Sequence, residues 1–307
     1  MVRLFVALTD DDWFAFLRRE TAVAEVNHWQ PRGTTMFRAL QPGELFLFKL
    51  HSPRDFIVGG GVFSHATQLP LSLGWEAFGI ANGAESLETM RARIAHYRHE
   101  PVDPRADYHI GCRILTQPVF LDEDQWIPVP GSWSRNIVVG KTYTTDDDEG
   151  RQLWETMESN FAARKLQRGL SEAPSRFGGP TLIRPRLGQG AFRIVVTDTY
   201  KRQCAVTRER VLPVLEAAHI RPYADGGDHE VSNGLLLRRD IHRLFDIGYV
   251  TLSPEYQFEV SRRIYEDFDN GREYYALHGR RVEVPRELAK RPSQEVIEWH
   301  NNYRYLG

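Results

Sequence analysis

Apolar and polar positions alternate with two different periods along this chain, and the change of period marks out its elements. Leu4 to Leu8 is a short apolar run that predicts a strand. Asp10-Asp11-Asp12 then supplies the acidic first turn of a helix carrying Trp13, Phe14 and Leu17. The turn Gln41-Pro42-Gly43 opens a strong strand over Glu44 to Leu50, and Phe56 to Phe63 predicts its neighbour. Ser86 to Arg98 repeats apolar residues at helical spacing, while Ile110 to Leu115 and Val119 to Leu121 predict two more strands. Asn27-His28-Trp29 sits in a polar stretch that reads as loop. Residues 1–145 therefore predict one domain of mixed helices and strands.

The following residues change character. Asp146-Asp147-Asp148-Glu149 forms an acidic turn before a helix with the apolar stripe Leu153, Met157 and Phe161, and Gly169 is placed to cap it. The stretch up to residue 190 is rich in Gly, Pro and Arg, so residues 146–190 predict a helix and a linker. Ala191 to Tyr200 predicts the helix that enters a second domain, residues 191–307. There, Val214 to Ile220 is a short apolar run bounded by Pro213 and Pro222, and Tyr223 to Asn233 is a loop containing Gly226-Gly227. Gly234 to Leu237 is a second strand, and Asp240 to Asp246 is a helix with Ile241, Leu244 and Phe245 on one face. Val250 to Leu252 and Gln257 to Ser261 predict further strands, and the aromatic C-terminal extension is expected to pack onto this domain.

Composition narrows the picture. A chain of 307 residues with 41% hydrophobic content can build two cores, and no run of eighteen apolar residues predicts a membrane span. The N-terminus lacks the apolar core of a signal peptide, and the two cysteines, Cys112 and Cys204, form no metal-binding pair; a cytoplasmic protein is the simplest expectation. The net charge of −2 argues against a nucleic-acid partner only until its distribution is read. Residues 1–150 hold 14 Lys/Arg against 20 Asp/Glu, whereas residues 151–250 hold 16 against 11. Phosphate responds to local charge, so the basic third keeps DNA in play.

That basic third also carries the chemistry. His219 stands in His219-Ile220-Arg221-Pro222, Asn233 follows fourteen positions later, His242 nine after that, and Asp246 one helical turn on. Each alone is an ordinary structural residue. Together, an imidazole and a carboxylate on one helix face opposite a strand histidine can hold a divalent ion and a base across one cleft. The arrangement resembles the HNH nucleases and their ββα-metal fold. That resemblance implies His219 as the general base, Asn233 as the brace of the loop, and His242 with Asp246 as ligands of one Mg²⁺ or Mn²⁺. The position before the base, an acidic or histidine ligand in many HNH proteins, is Ala218 here; strand alternation offers Glu216 as its replacement. His229, in the loop, reads as solvent-exposed.

In residues 1–145, the order Asn27-His28-Trp29, Pro42-Gly43-Glu44-Leu45-Phe46-Leu47-Phe48 and Ile57-Val58-Gly59 resembles the EVE domain, a PUA-like barrel. The resemblance implies a pocket gripping a single modified base. Aromatic rings stack on a flipped base and Asn or Ser groups read its edge, which nominates Trp29, Asn27, Trp75, Ser64 and Trp133. Arg221, Arg186 and Arg193 are candidate contacts to DNA backbone.

The whole is therefore expected to be α+β: an EVE-like domain joined to an HNH domain, as in modification-dependent restriction endonucleases. The implied substrate is double-stranded DNA carrying 5-methyl- or 5-hydroxymethylcytosine, cut by a possible homodimer. An HNH nuclease indifferent to modification, an RNA-directed protein, and a reader with an inactive nuclease stay open.

Overall fold

The structure, a computed structural model, describes residues 1–20, 23–167 and 181–307. It divides into two units, Met1–Ala191 and Phe192–Gly307. The expected cap at Gly169 and the linker residues up to Pro180 lie outside the described residues. Among the described residues, no helix is long and apolar enough to cross a membrane.

Unit 1 is β-rich. Strand β1 (Arg3–Thr9) leads into helix α1 (Asp11–Arg19), whose N-terminus is capped by Asp10 accepting from the Trp13 amide at 2.8 Å. Strands β2 (Glu25–Gln30), β3 (Leu45–Leu50), β4 (Phe56–Pro70), β5 (His109–Phe120), β6 (Ile127–Pro128) and β7 (Gly140–Thr144) complete one sheet. Its order is β2-β5-β4-β3-β1-β7, with β6 on the end of β4. Helices α2 (Leu71–Phe78) and α3 (Leu87–Arg98) lie between β4 and β5, and Ser86 caps α3. The two strands predicted over Ile110–Leu121 are one, bent at Gln117, which has φ 53°.

Alternation along the strands sorts the side chains into two faces. Leu4, Val6, Leu45 and Leu47 face a core closed by helix α4 (Asp148–Gln167), whose Leu153, Met157 and Phe161 pack there with Trp154. Burying each such side chain is worth about 1.5–3 kcal/mol, so α4 belongs to unit 1 rather than to a linker. Phe5, Phe46 and Phe48 take the other face, and the sheet curls around them. The curl brings edge strand β2 to β1, where His28 Nε2 lies 3.2 Å from Thr9 Oγ1. Glycines allow the tight curvature: a Cβ on Gly59 would sit 2.2 Å from the Val119 carbonyl oxygen. The Asn27-His28-Trp29 segment is thus a buried strand, not a loop; Asn27 Nδ2, His28 Nε2 and Trp29 Nε1 bond partners distant in sequence that local pattern does not reveal, while Asn27 Oδ1 and His28 Nδ1 are buried without a partner among the described residues.

Helix α5 (Gln189–Thr199) spans the boundary between the units. Unit 2 continues with β8 (Leu215–His219), antiparallel to β9 (Gly234–Arg238), then α6 (Arg239–Asp246). Gly248 ends α6 with φ 83°. Strands β10 (Val250–Leu252) and β11 (Phe258–Val260), helices α7 (Arg263–Phe268) and α8 (Arg272–Tyr275), and α9 (Gln294–Tyr303) follow. The C-terminal extension clamps the motif helix: the His300 ring stacks on Phe245 at 3.8 Å and its Nε2–H donates to the Phe245 carbonyl at 3.0 Å.

Candidate active site

The β8–loop–β9–α6 unit brings the four motif residues to one side of unit 2. Asn233 is buried and braces the loop from both of its ends. Its Oδ1 accepts from the Arg221 amide at 2.8 Å, and its Nδ2 donates to the carbonyls of Arg221 and Asp228, each at 2.9 Å. Gly227 is required beside it, because a Cβ there would sit 1.9 Å from the Arg221 carbonyl oxygen. Asn233 thus ties together the two ends of the loop that follows His219.

His219, at the end of β8, lies flat on Phe192 at 3.9 Å and 11°. Its Nε2 is 3.0 Å from Nδ1 of His229, so one ring donates to the other. Burial, followed by the charges of His229 and His242, holds His219 at about 4. At neutral pH it is the free base, which a proton acceptor must be. His229 is half-buried and stacks on Tyr223 at 5.1 Å; it is no solvent residue but a neighbour of the expected base. Nothing in the spacing marks it, since its contact spans a loop whose path Asn233 sets.

His242, on α6, is gripped at both nitrogens. Nδ1 is 2.8 Å from Glu216 Oε2, and Nε2 is 3.4 Å from Asp246 Oδ2. Burial pulls His242 down, but Asp246 and Glu216 together outweigh it and raise its pKa. Burial pushes Glu216 up, but its bonds to His242 and Arg239 win and its pKa is lowered. Glu216 also accepts from Arg239 Nε at 2.7 Å. Ala218 is fully buried, so that position faces packing rather than the cleft.

The donor types suit a hard divalent ion: an imidazole nitrogen and carboxylate oxygens. Among the described residues, however, no three His, Cys, Asp or Glu groups converge on one point. His242 Nε2 and Asp246 face the same side and fit as a pair of ligands. Glu216 sits on the opposite ring nitrogen. This differs from the expectation that Glu216 replaces the ligand missing at Ala218; its position is that of a group that orients a ligating histidine from behind.

The remaining candidates scatter. Arg221 is half-buried, donates from Nε to the Asp225 carbonyl at 2.7 Å and lies over Trp299, so it stiffens the loop. Arg186 is exposed and Arg193 half-buried. In unit 1, Trp29 lines a cavity of about 280 Å³ together with Trp13, His28, Tyr97 and Arg113. Asn27, Trp75, Ser64 and Trp133 do not line it. Asn27 is buried and donates to Asn82 Oδ1 at 2.9 Å, Ser64 is buried on β4, Trp75 sits half-buried on α2, and Trp133 packs against the α4-side core. Arg113 was not foreseen, although an arginine inside an apolar strand run is a signal the sequence offers. A second, larger groove of about 780 Å³ lies in unit 2 and is lined by Lys201, Arg208, Arg210, Arg286 and Lys290 with Glu283 and Glu287.

Residues 204–253 match the HNH endonuclease family. The match covers Cys204 to Ser253 and so includes β8, β9 and α6; the chain carries an HNH endonuclease domain. No curated protein sequence matches the chain. Among solved structures, it is similar to the ASCH protein of Zymomonas mobilis at 10% identity and TM-score 0.30, over 49% of this chain and 92% of that one. It is also similar to a structure described as the modification dependent TagI restriction endonuclease, at 13% identity and TM-score 0.27, over 84% of this chain and 60% of that one. Similarities this weak carry no chemistry from those proteins to this one.

Proposed function

We propose that this chain is a metal-dependent DNA endonuclease whose cutting is directed by a modified cytosine that unit 1 accepts out of the duplex. The observation that carries the reading is the set His219, Asn233, His242 and Asp246, assembled on β8, the loop that follows it and α6 within the segment that matches the HNH endonuclease family.

In this mechanism His219 takes the proton of the attacking water. Phe192 holds its ring plane, Asn233 holds the backbone behind it, and His229 occupies its Nε2 side. His242 Nε2 and Asp246 would hold one Mg²⁺ or Mn²⁺, with Glu216 fixing the imidazole from Nδ1. When bound, the ion supplies positive charge against the phosphate and the leaving oxygen. One such site cuts one strand, so a double-strand break needs two protomers or two encounters. The groove lined by Lys201 and Arg286 supports contact with a duplex backbone: it carries five cations, and its two carboxylates are already paired, Glu283 with Arg208 and Glu287 with Lys290.

Unit 1 supports the reader role through its cavity. Its lining includes the aromatic rings of Trp13, Trp29 and Tyr97, the residue type on which a base stacks, and its volume of about 280 Å³ lies just below the usual range for a ligand site. The test is His219→Ala. Loss of a general base costs about 100- to 10,000-fold in rate, and DNA binding should be unchanged because His219 lines neither the unit 1 cavity nor the unit 2 groove. Cutting at near wild-type rate by this variant removes His219 from the mechanism.

A further inference from the structure

The unit 1 cavity has an unusual floor. Arg113, on β5 opposite His28 on β2, is 4% exposed. Its guanidinium has no hydrogen bond and no ion pair among the described residues; it lies among three phenylalanine rings, Phe37 at 4.7 Å, Phe46 at 5.7 Å and Phe5 at 5.8 Å. Burial lowers its pKa only to about 10, so it remains a cation at neutral pH. Ring faces return part of the cost of desolvating a guanidinium, but they leave its planar fork of N–H donors without acceptors.

The other lining groups do not supply the missing anion. Asp10, the acidic residue of the lining, is committed elsewhere: it caps α1 through the Trp13 amide and accepts from the Tyr97 hydroxyl. His28 gives Nε2 to Thr9 and stays neutral, held by burial and then by the nearby Arg113 at about 3. A cation with no protein hydrogen bond or ion pair among the described residues thus lines a cavity walled by Trp13, Trp29 and Tyr97.

We propose that the cavity takes a flat ring bearing a carboxylate, which Arg113 grips in a two-point pair. Resting on the reading of unit 1 as a base pocket, this makes the substrate an oxidised cytosine, 5-carboxylcytosine, in preference to 5-methylcytosine. A methyl group offers the guanidinium nothing, whereas a carboxylate matches its fork in charge and in geometry. The aromatic walls stack on the ring whichever substituent it carries, so they favour entry and Arg113 decides identity.

The experiment measures binding of the full chain, in EDTA to prevent cutting, to duplexes identical except for one central cytosine: unmodified, 5-methyl, 5-hydroxymethyl or 5-carboxyl. The 5-carboxyl duplex should bind at least tenfold tighter than the 5-methyl duplex. Arg113→Gln should erase that margin while keeping the preference of 5-methyl over unmodified, and Arg113→Lys, which keeps the charge without the fork, should retain part of it. The wild-type ranking stands as a test even if Arg113→Gln does not fold. A 5-carboxyl duplex bound no tighter than the 5-methyl duplex, with both preferred to unmodified DNA, overturns the inference and leaves the reader role standing. Four equal affinities overturn both. Equal weakening of all four duplexes by Arg113→Gln would assign Arg113 to the base itself and also overturn the inference.

Discussion

Glu216 and Asp246 hold the two ends of one imidazole, and that division decides what each can do. A group on Nδ1 can orient His242 but cannot share an ion with Nε2; a group beside Nε2 can. Removing an orienting partner typically lowers metal affinity about 10- to 100-fold, whereas removing one of two protein ligands should abolish measurable binding. Titrating Mn²⁺ calorimetrically should therefore show Asp246→Ala silent and Glu216→Gln weakened but binding, since glutamine still accepts from Nδ1–H. Equal loss in both variants would make Glu216 a ligand after all. His28 gives a second residue-scale expectation. It is neutral in the folded chain down to about 3, while its ordinary value is 6.5. As pH falls from about 6.5 towards 3, the unfolded chain binds a proton that the folded chain refuses, so stability falls through that window, by up to about 1.4 kcal/mol per pH unit. Above 6.5 the residue contributes no slope. Urea midpoints of His28→Gln across this range should be less sensitive to acid than those of the wild type; identical slopes would mean that His28 takes up its proton without unfolding.

At the scale of elements, what could be read from the sequence was what is local. The β8–loop–β9–α6 unit was legible because its strands are short apolar runs, its loop is marked by Gly226-Gly227, and His242 and Asp246 are one turn apart. Strands β1, β3 and β4 and helices α1 and α3 were legible for the same reason. Strand β2 was not, since Asn27 and His28 look like loop residues and their partners Asn82 and Thr9 are distant in sequence. The pocket suffered most. Tryptophans were chosen by their polar or Gly-rich neighbours, but whether an indole faces a core or a cavity is set by the curl of the sheet. Trp133 went to the core with α4, while Trp13, assigned to its helix, came to the cavity wall. The contact of His229 with His219 is likewise a property of the folded loop.

For the whole molecule, the distribution of charge matters more than its sum. A net −2 hides a unit 2 groove in which Lys201 and Arg286 have no side-chain hydrogen bond or ion pair among the described residues. If the groove follows a DNA backbone, replacing both by alanine should weaken binding evenly across sequences and modifications. It should also reduce the slope of log affinity against log salt by about 1.8, close to 0.9 per phosphate contact. An unchanged slope would free the groove for another partner.

The division of labour between a selecting unit and a cutting unit is tested most directly by digestion of matched plasmids that are unmodified or carry 5-methyl-, 5-hydroxymethyl- or 5-carboxylcytosine, each with Mg²⁺ and with EDTA. The account predicts cutting of modified plasmids alone, in Mg²⁺ alone, and none by His219→Ala. Cutting of unmodified DNA at the same rate would contradict it, because the HNH domain would then act without direction from the aromatic cavity.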